Sequence, residues 1–168
     1  MLVIGIDPGT AITGYGLVQE SDDGGLVAVD YGVIITPPKT PMPQRLAMLY
    51  DGLKEILSVH QPESAAVEKL FFSKNVRTAM SVGQARGVTL LALERAHLPI
   101  AEYAPTEIKQ AVSGYGGADK RQVQEMVRTL LKLDDIPKPD DAADALAVAI
   151  CHLHSVRTQA LYEAAAEN

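Results

Sequence analysis

Asp144 lies inside Ala142-Ala143-Asp144-Ala145-Leu146-Ala147-Val148-Ala149-Ile150, a helical stretch that is apolar nearly all round and therefore buried on most faces. A lone carboxylate in such a helix costs several kcal/mol unless another group compensates it. Whatever fold the chain adopts must bring a partner to this position. Three further acids stand in comparable places: Asp7 closes the apolar run Leu2-Val3-Ile4-Gly5-Ile6, Glu68 closes Ala65-Ala66-Val67, and Asp141 lies one helical turn before Asp144. Like charges gathered at the ends of buried elements repel one another and lose hydration. Divalent cations reverse that balance, and paired Mg²⁺ ions held by carboxylates are a recurrent means of cutting phosphodiesters.

The order of elements indicates how these acids could meet. Leu2 to Ile6 reads as a buried strand ended by the turn signal Asp7-Pro8-Gly9. Gly14 to Val18, and Leu26 to Val29 with Tyr31 to Ile35, read as two further strands joined across Ser21-Asp22-Asp23-Gly24-Gly25. A linker from Pro37 to Pro43 precedes a helix with Leu46, Leu49, Leu53, Ile56 and Leu57 at helical spacing. The strand Ser64 to Glu68, a long helix from Asn75 to His97 and a short strand Ile100 to Tyr103 follow. Pro105 starts a helix carrying Lys109, and Ser113 to Ala118 forms a flexible glycine loop. Asp119 caps a helix through Leu131, and Asp140 is the expected N-cap of the last helix. This order points to a mixed α/β sheet with helices packed on its faces.

Residues three apart on a helix share a face, so Asp141 and Asp144 point the same way. Asp7 and Glu68 sit at strand ends, where open α/β sheets place their ligand sites. If the two strands are neighbours and the last helix crosses them, all four side chains face one volume. Taken singly, each acid has an ordinary explanation: Asp-Pro-Gly is turn chemistry, Glu68 returns the chain to solvent beside Lys69, and Asp141 complements a helix dipole.

With 168 residues, 47% of them hydrophobic, the chain is expected to form one domain over residues 1–157, with an alanine-rich frayed tail over 158–168. The single cysteine, Cys151, excludes an internal disulfide framework and suits a reducing cytosol. No signal peptide or membrane span is read, which points to a cytoplasmic protein with no membrane partner. The net charge of −6 argues at face value against a polyanionic partner. Its distribution reverses the argument: between Lys69 and Arg128 nine basic residues face five acidic ones, whereas the remainder carries six against sixteen.

Four blocks carry a resemblance to a known family. Ile4-Gly5-Ile6-Asp7-Pro8-Gly9, Val67-Glu68-Lys69-Leu70-Phe71-Phe72-Ser73-Lys74-Asn75, Gly83-Gln84-Ala85-Arg86-Gly87 and Asp141-Ala142-Ala143-Asp144-Ala145-Leu146-Ala147 resemble, in order and spacing, the RuvC crossover-junction endodeoxyribonucleases of bacteria. The resemblance implies a ribonuclease-H-like fold, with a five-stranded mixed sheet of three antiparallel strands followed by parallel ones. It implies a two-fold symmetric homodimer that resolves four-way (Holliday) DNA junctions in recombination and repair. Paired symmetric nicks would leave 5′-phosphate and 3′-hydroxyl ends. Asp7, Glu68, Asp141 and Asp144 would be the catalytic acids, holding two Mg²⁺ ions for which Mn²⁺ can substitute. Lys109 and Lys120 would line the cleft, Phe71 would stack on an unpaired base, and Lys74 and Arg77 would contact DNA. A RuvA–RuvB branch-migration assembly is the implied partner. Gly83 and Gly87 mark the candidate dimer helix, although packing within one chain explains them equally well.

Three rival readings stand beside this one. Gly5-Ile6-Asp7-Pro8-Gly9-Thr10 also resembles the first phosphate loop of the actin, heat-shock-chaperone and sugar-kinase ATPases, which need a second homologous domain. A ribonuclease-H-like nuclease acting on RNA–DNA hybrid is a near relative. A junction-binding scaffold that no longer cuts is the non-enzymatic alternative.

Overall fold

The structure, a computed structural model, describes residues 1–70 and 76–166, with the side chains of residues 76–78 set aside. One sheet of five strands runs in the order β3-β2-β1-β4-β5, comprising β1 (Leu2–Asp7), β2 (Ile12–Glu20), β3 (Leu26–Ile35), β4 (Ser64–Glu68) and β5 (Ile100–Tyr103). The first three strands are mutually antiparallel, and β4 and β5 join parallel to β1. The expected mixed ribonuclease-H-like sheet is therefore present. β3 is one continuous strand rather than two pieces. Its pairing with β2 steps from Leu17↔Asp30 to Val18↔Ala28, so Val29 is the extra residue of a bulge and the apparent break is absorbed without ending the strand.

Side-chain alternation divides the sheet into two faces. Ile4, Ile6, Leu17, Ala65 and Val67 face one layer, built by α1 (Met42–His60) and α2 (Val76–Arg95). Val3, Val18 and Ala66 face the other, built by α3 (Pro105–Ser113), α4 (Lys120–Leu130) and α5 (Asp140–Ala166). Strand parity then settles the acids. Asp7 follows Val3 and Gly5 on the α5 face, and Glu68 follows Ser64 and Ala66 on the same face.

α5 can lie on that face because the strands leave it a glycine seat. A Cβ on Gly5 would stand 2.2 Å from the Ala145 carbonyl oxygen, one on Gly14 1.9 Å from that of Asp141, and one on Gly16 2.8 Å from the Leu146 nitrogen. The facing helix answers with Ala142, Ala145 and Ala149, all buried. Small residues on both partners let the backbones approach closely. The helix continues through the alanine-rich stretch to Ala166, exposed from Val156 onward. Among the described residues, no helix is long and apolar enough to cross a membrane.

A buried polar relay ties the same layer together. His152 of α5 sits between the Ser64 hydroxyl, 3.1 Å from its Nε2, and the Tyr103 hydroxyl, 2.8 Å from its Nδ1. Burial pushes the His152 pKa below its usual value. The neutral ring has one donor and one acceptor, which two hydroxyls can satisfy. β4, β5 and α5 are thereby fixed to one another beneath the acids.

Candidate active site

β1 and β4 run side by side with Ile6 paired to Val67, so Asp7 and Glu68 emerge together where the two strands end. Asp141 and Asp144 come down from the first turns of α5, whose register on the sheet is set by the glycine seat. The Asp7 pKa is pushed up to about 7, by burial first and then by the charges of Glu68, Asp144 and Asp141 in turn, against a small opposing effect of Lys120. Burial also raises Glu68, with the Asp144 charge adding to it, while a hydrogen bond with Asp7 and the charges of Lys109 and Lys120 work the other way. Asp144 is raised by burial in spite of its contact with Lys120. Asp7 thus feels the charges of the other three acids that the sequence singles out.

Glu68 and Asp144 open onto a cavity of about 260 Å³ whose wall also carries Lys109 and Lys120. α3 delivers Lys109 from its central turn; Glu107 helps start this helix by accepting from the Ala104 amide at 2.6 Å. Lys120 is the first residue of α4, fixed by the capping box in which Asp119 accepts from the Gln122 amide and Gln122 accepts from the Asp119 amide, each at 2.9 Å. The glycine loop between them carries hydrogen bonds of its own. Gln110 donates to the Gly114 carbonyl and accepts from the Gly116 amide, Ser113 donates to the Lys109 carbonyl, and the Ala118 amide donates to Tyr115.

Lys120 reaches further into the acids than a cleft lysine need do. Its Nζ lies 3.0 Å from Asp144 Oδ2 and 3.2 Å from Asp140 Oδ2. Burial lowers the Lys120 pKa, but the hydrogen bonds and charges of Asp144 and Asp140 outweigh it and leave the ammonium above its usual range. Asp140 is therefore not the isolated cap it was expected to be. α5 already includes it, and its carboxylate is turned to Lys120. No motif signals this contact, because the two residues belong to different helices 20 positions apart. The glycine seat, by contrast, left a trace in Gly5, Gly14 and Gly16, which fall on one face of their strands.

The donor set is all oxygen, the chemistry that hard divalent ions such as Mg²⁺ and Mn²⁺ require. Among the described residues, no three His, Cys, Asp or Glu side chains already enclose a point as a finished metal cage. The fit is one of charge and convergence: half-buried carboxylates whose ionisation is opposed by their neighbours are stabilised by a cation placed among them. Of the residues expected to touch DNA, Lys109 and Lys120 line the cavity. Phe71 and Lys74 lie outside the described residues, as does the side chain of Arg77.

Comparison with known proteins gives the geometry its relatives. Residues 3–152 match the family model described as crossover junction endodeoxyribonuclease RuvC. A protein of that description from Chloroflexus aggregans is 60% identical over 158 residues, covering 94% of this chain and 96% of the relative. Among solved structures, Thermus thermophilus RuvC superposes with a TM-score of 0.88 at 37% identity, covering 95% of this chain and 97% of the other. The same bacterium's RuvC in complex with a Holliday junction substrate gives 0.86 at 34% identity, covering 94% and 96%.

Proposed function

The chain belongs to the RuvC family of crossover junction endodeoxyribonucleases, and on that footing we propose that it resolves four-way DNA junctions by hydrolysing phosphodiesters at Asp7, Glu68, Asp141 and Asp144. The observation that carries this reading is the convergence of half-buried acids: Asp7 and Glu68 leave neighbouring strand ends together, and Glu68 and Asp144 share one cavity with Lys109 and Lys120. A structural turn aspartate has no use for such surroundings. A cation-dependent phosphodiesterase does.

Asp7, Glu68, Asp141 and Asp144 would hold two Mg²⁺ ions, with Mn²⁺ able to substitute. Two such ions would supply Lewis acidity, lowering the pKa of an attacking water and offsetting charge on the departing 3′-oxygen, in keeping with 5′-phosphate and 3′-hydroxyl ends. Asp7 and Glu68, carried on paired strands, supply the rigid half of the site; Asp141 and Asp144 supply the half whose placement depends on α5. Lys109 and Lys120 attract and align the phosphate backbone, so binding weakens as salt rises. Phe71, Lys74 and Arg77 extend the DNA contact from the segment after β4. Residues 1–157 act as one nuclease unit, with 158–168 outside it.

Symmetric resolution requires two like sites related by a two-fold axis, which a C₂ dimer provides. Among the described residues, a Cβ on Gly83 or Gly87 would meet nothing within 4 Å, so no packing contact described within the chain calls for these glycines. Met80 and Leu91 are exposed on the same helix, 67% and 52% respectively. A second copy packed along Met80, Gly83, Gly87 and Leu91 would give that face a use. The reading also places the protein in the bacterial cytoplasm, acting with a RuvA–RuvB branch-migration assembly.

The test is incubation of the purified protein with a mobile four-way junction, linear duplex and RNA–DNA hybrid, each with and without Mg²⁺. Paired symmetric incisions of the junction alone, only with Mg²⁺, are expected. Efficient cutting of the hybrid would favour the near relative, and junction binding without any incision would favour the scaffold.

A further inference from the structure

Lys120 bridges two carboxylates of unequal standing. Asp144 lies well inside, with 32% of its side chain exposed, whereas Asp140 stands at the lip, with 63% exposed. The ammonium is nearly equidistant from them, at 3.0 and 3.2 Å. It is itself half exposed, at 53%, and sits on the first turn of a helix whose capping box fixes its backbone. A divalent ion that takes Asp144 must displace this ammonium and then repels it, because two cations at contact distances in a partly dry cleft interact strongly. Asp140 offers the displaced group a second carboxylate at the cost of a small rotation.

We propose that Lys120 is a tethered counter-cation of the acid site, exchanged from Asp144 onto Asp140 when a divalent ion binds, with Asp140 as the residue that positions it. This rests on the proposed function of the four acids as a cation site. Lys120 offsets the mutual repulsion of the acids before an ion arrives. It yields Asp144 to the ion without leaving the cleft, because Asp140 retains it. The lysine then stands at the lip with its charge directed to where the DNA phosphate enters. Loading the site and presenting the phosphate-binding lysine become one event. Asp140 contributes without touching either ion or DNA.

Two readouts that do not depend on cutting test this. Mn²⁺ affinity of the full chain is measured by electron paramagnetic resonance for wild type, Lys120→Met and Asp144→Asn. Acylation of Lys120 by a succinimidyl ester is followed by mass spectrometry in wild type and Asp140→Asn, with and without Mn²⁺. Lys120→Met is expected to bind Mn²⁺ about five- to tenfold more tightly, since both the competitor and the repulsion are removed. A merely structural lysine would leave the affinity unchanged or weaken it. Without Mn²⁺, Lys120 reacts slowly in both proteins. With Mn²⁺ it stays slow in wild type, where Asp140 holds it, and becomes several-fold faster in Asp140→Asn. Lys120→Met affinity at or below wild type, or Asp140→Asn acylation that ignores Mn²⁺, overturns the exchange. If Asp144→Asn loses Mn²⁺ while those arms fail, the exchange alone is wrong. If Asp144→Asn binds Mn²⁺ as wild type does, the acids are not the cation site, and the exchange falls with that reading.

Discussion

Asp7 and Glu68 end adjacent parallel strands one residue beyond the Ile6–Val67 pair, with their carboxyl groups on the same face of the sheet. Neither side chain can turn away without breaking strand alternation, so the repulsion between them is built into the fold.

That repulsion gives the protein an unusual pH dependence. The Asp7 pKa rises from 3.8 in the unfolded chain to about 7 in the folded one. Between those values the folded state holds the proton more tightly, so stability falls as pH rises from about 4 to 7. Without divalent ions, Asp7→Asn should therefore stabilise the protein at pH 8, by on the order of 2–4 kcal/mol, and have little effect near pH 4. Thermal melts of both proteins in chelator across this range check it; a destabilised Asp7→Asn at pH 8 would contradict it.

The same substitution should remove function while it improves folding. Asp7→Asn is predicted to abolish junction nicking in Mg²⁺ and to leave junction affinity largely intact, because Lys109 and Lys120 remain in place. Nicking at the wild-type rate would show that Asp7 is not catalytic.

Gly5→Ala and Gly14→Ala probe the seat of α5. The added methyl would press on the Ala145 or Asp141 carbonyl at about van der Waals-forbidden distances of 2.2 and 1.9 Å. Each should cost about 3 kcal/mol, and surviving folded protein should bind Mn²⁺ poorly because the helix acids are displaced. Chemical denaturation with a parallel Mn²⁺ titration measures both; wild-type values in either variant would mean that the helix is not seated as described.

The exposed face of α2 separates folding from assembly. Gly83→Ala meets only open space among the described residues, so in a monomer it should add about 1 kcal/mol through helix propensity alone. Leu91→Glu, at an exposed position, should leave the fold intact and convert a dimer to monomers. Light scattering coupled to size exclusion reads this directly; a monomeric wild type would remove this interface.

Tyr103→Phe removes one hydroxyl from His152 and should cost about 1–2 kcal/mol by leaving a buried ring nitrogen without its partner. The His152 pKa is depressed by burial below 6.5. The unfolded chain therefore takes up this proton first as pH falls, and the relay loses stability below about pH 6.5. His152→Gln should flatten that part of the stability profile in denaturant titrations at pH 5 and 7, and an unchanged slope would rule the relay out as its source.

Much of the site was legible because burial and charge conflict along the chain itself. Asp144 stands out in its apolar helix, Asp7 and Glu68 end apolar strands, and the Asp119 cap holds as expected. Strand periodicity hid the bulge at Val29, since an inserted residue leaves composition unchanged while moving every later side chain to the other face. Asp140 looked like a cap because its neighbours in sequence are helical, whereas its partner Lys120 arrives on another helix. Glycines 114, 116 and 117 marked a loop, but not the hydrogen bonds that Gln110 and Ser113 make to it.

The order of acids along the chain determined that charge and burial would conflict at the ends of β1 and β4 and at the start of α5, because patterning alone places carboxylates beside apolar runs. Only tertiary structure decided which carboxylate answers which lysine, and how near the helix acids stand to the strand acids. Those depend on strand register and on the depth to which α5 sinks onto Gly5, Gly14 and Gly16. Contacts between residues far apart in sequence are set by packing, which no local pattern records.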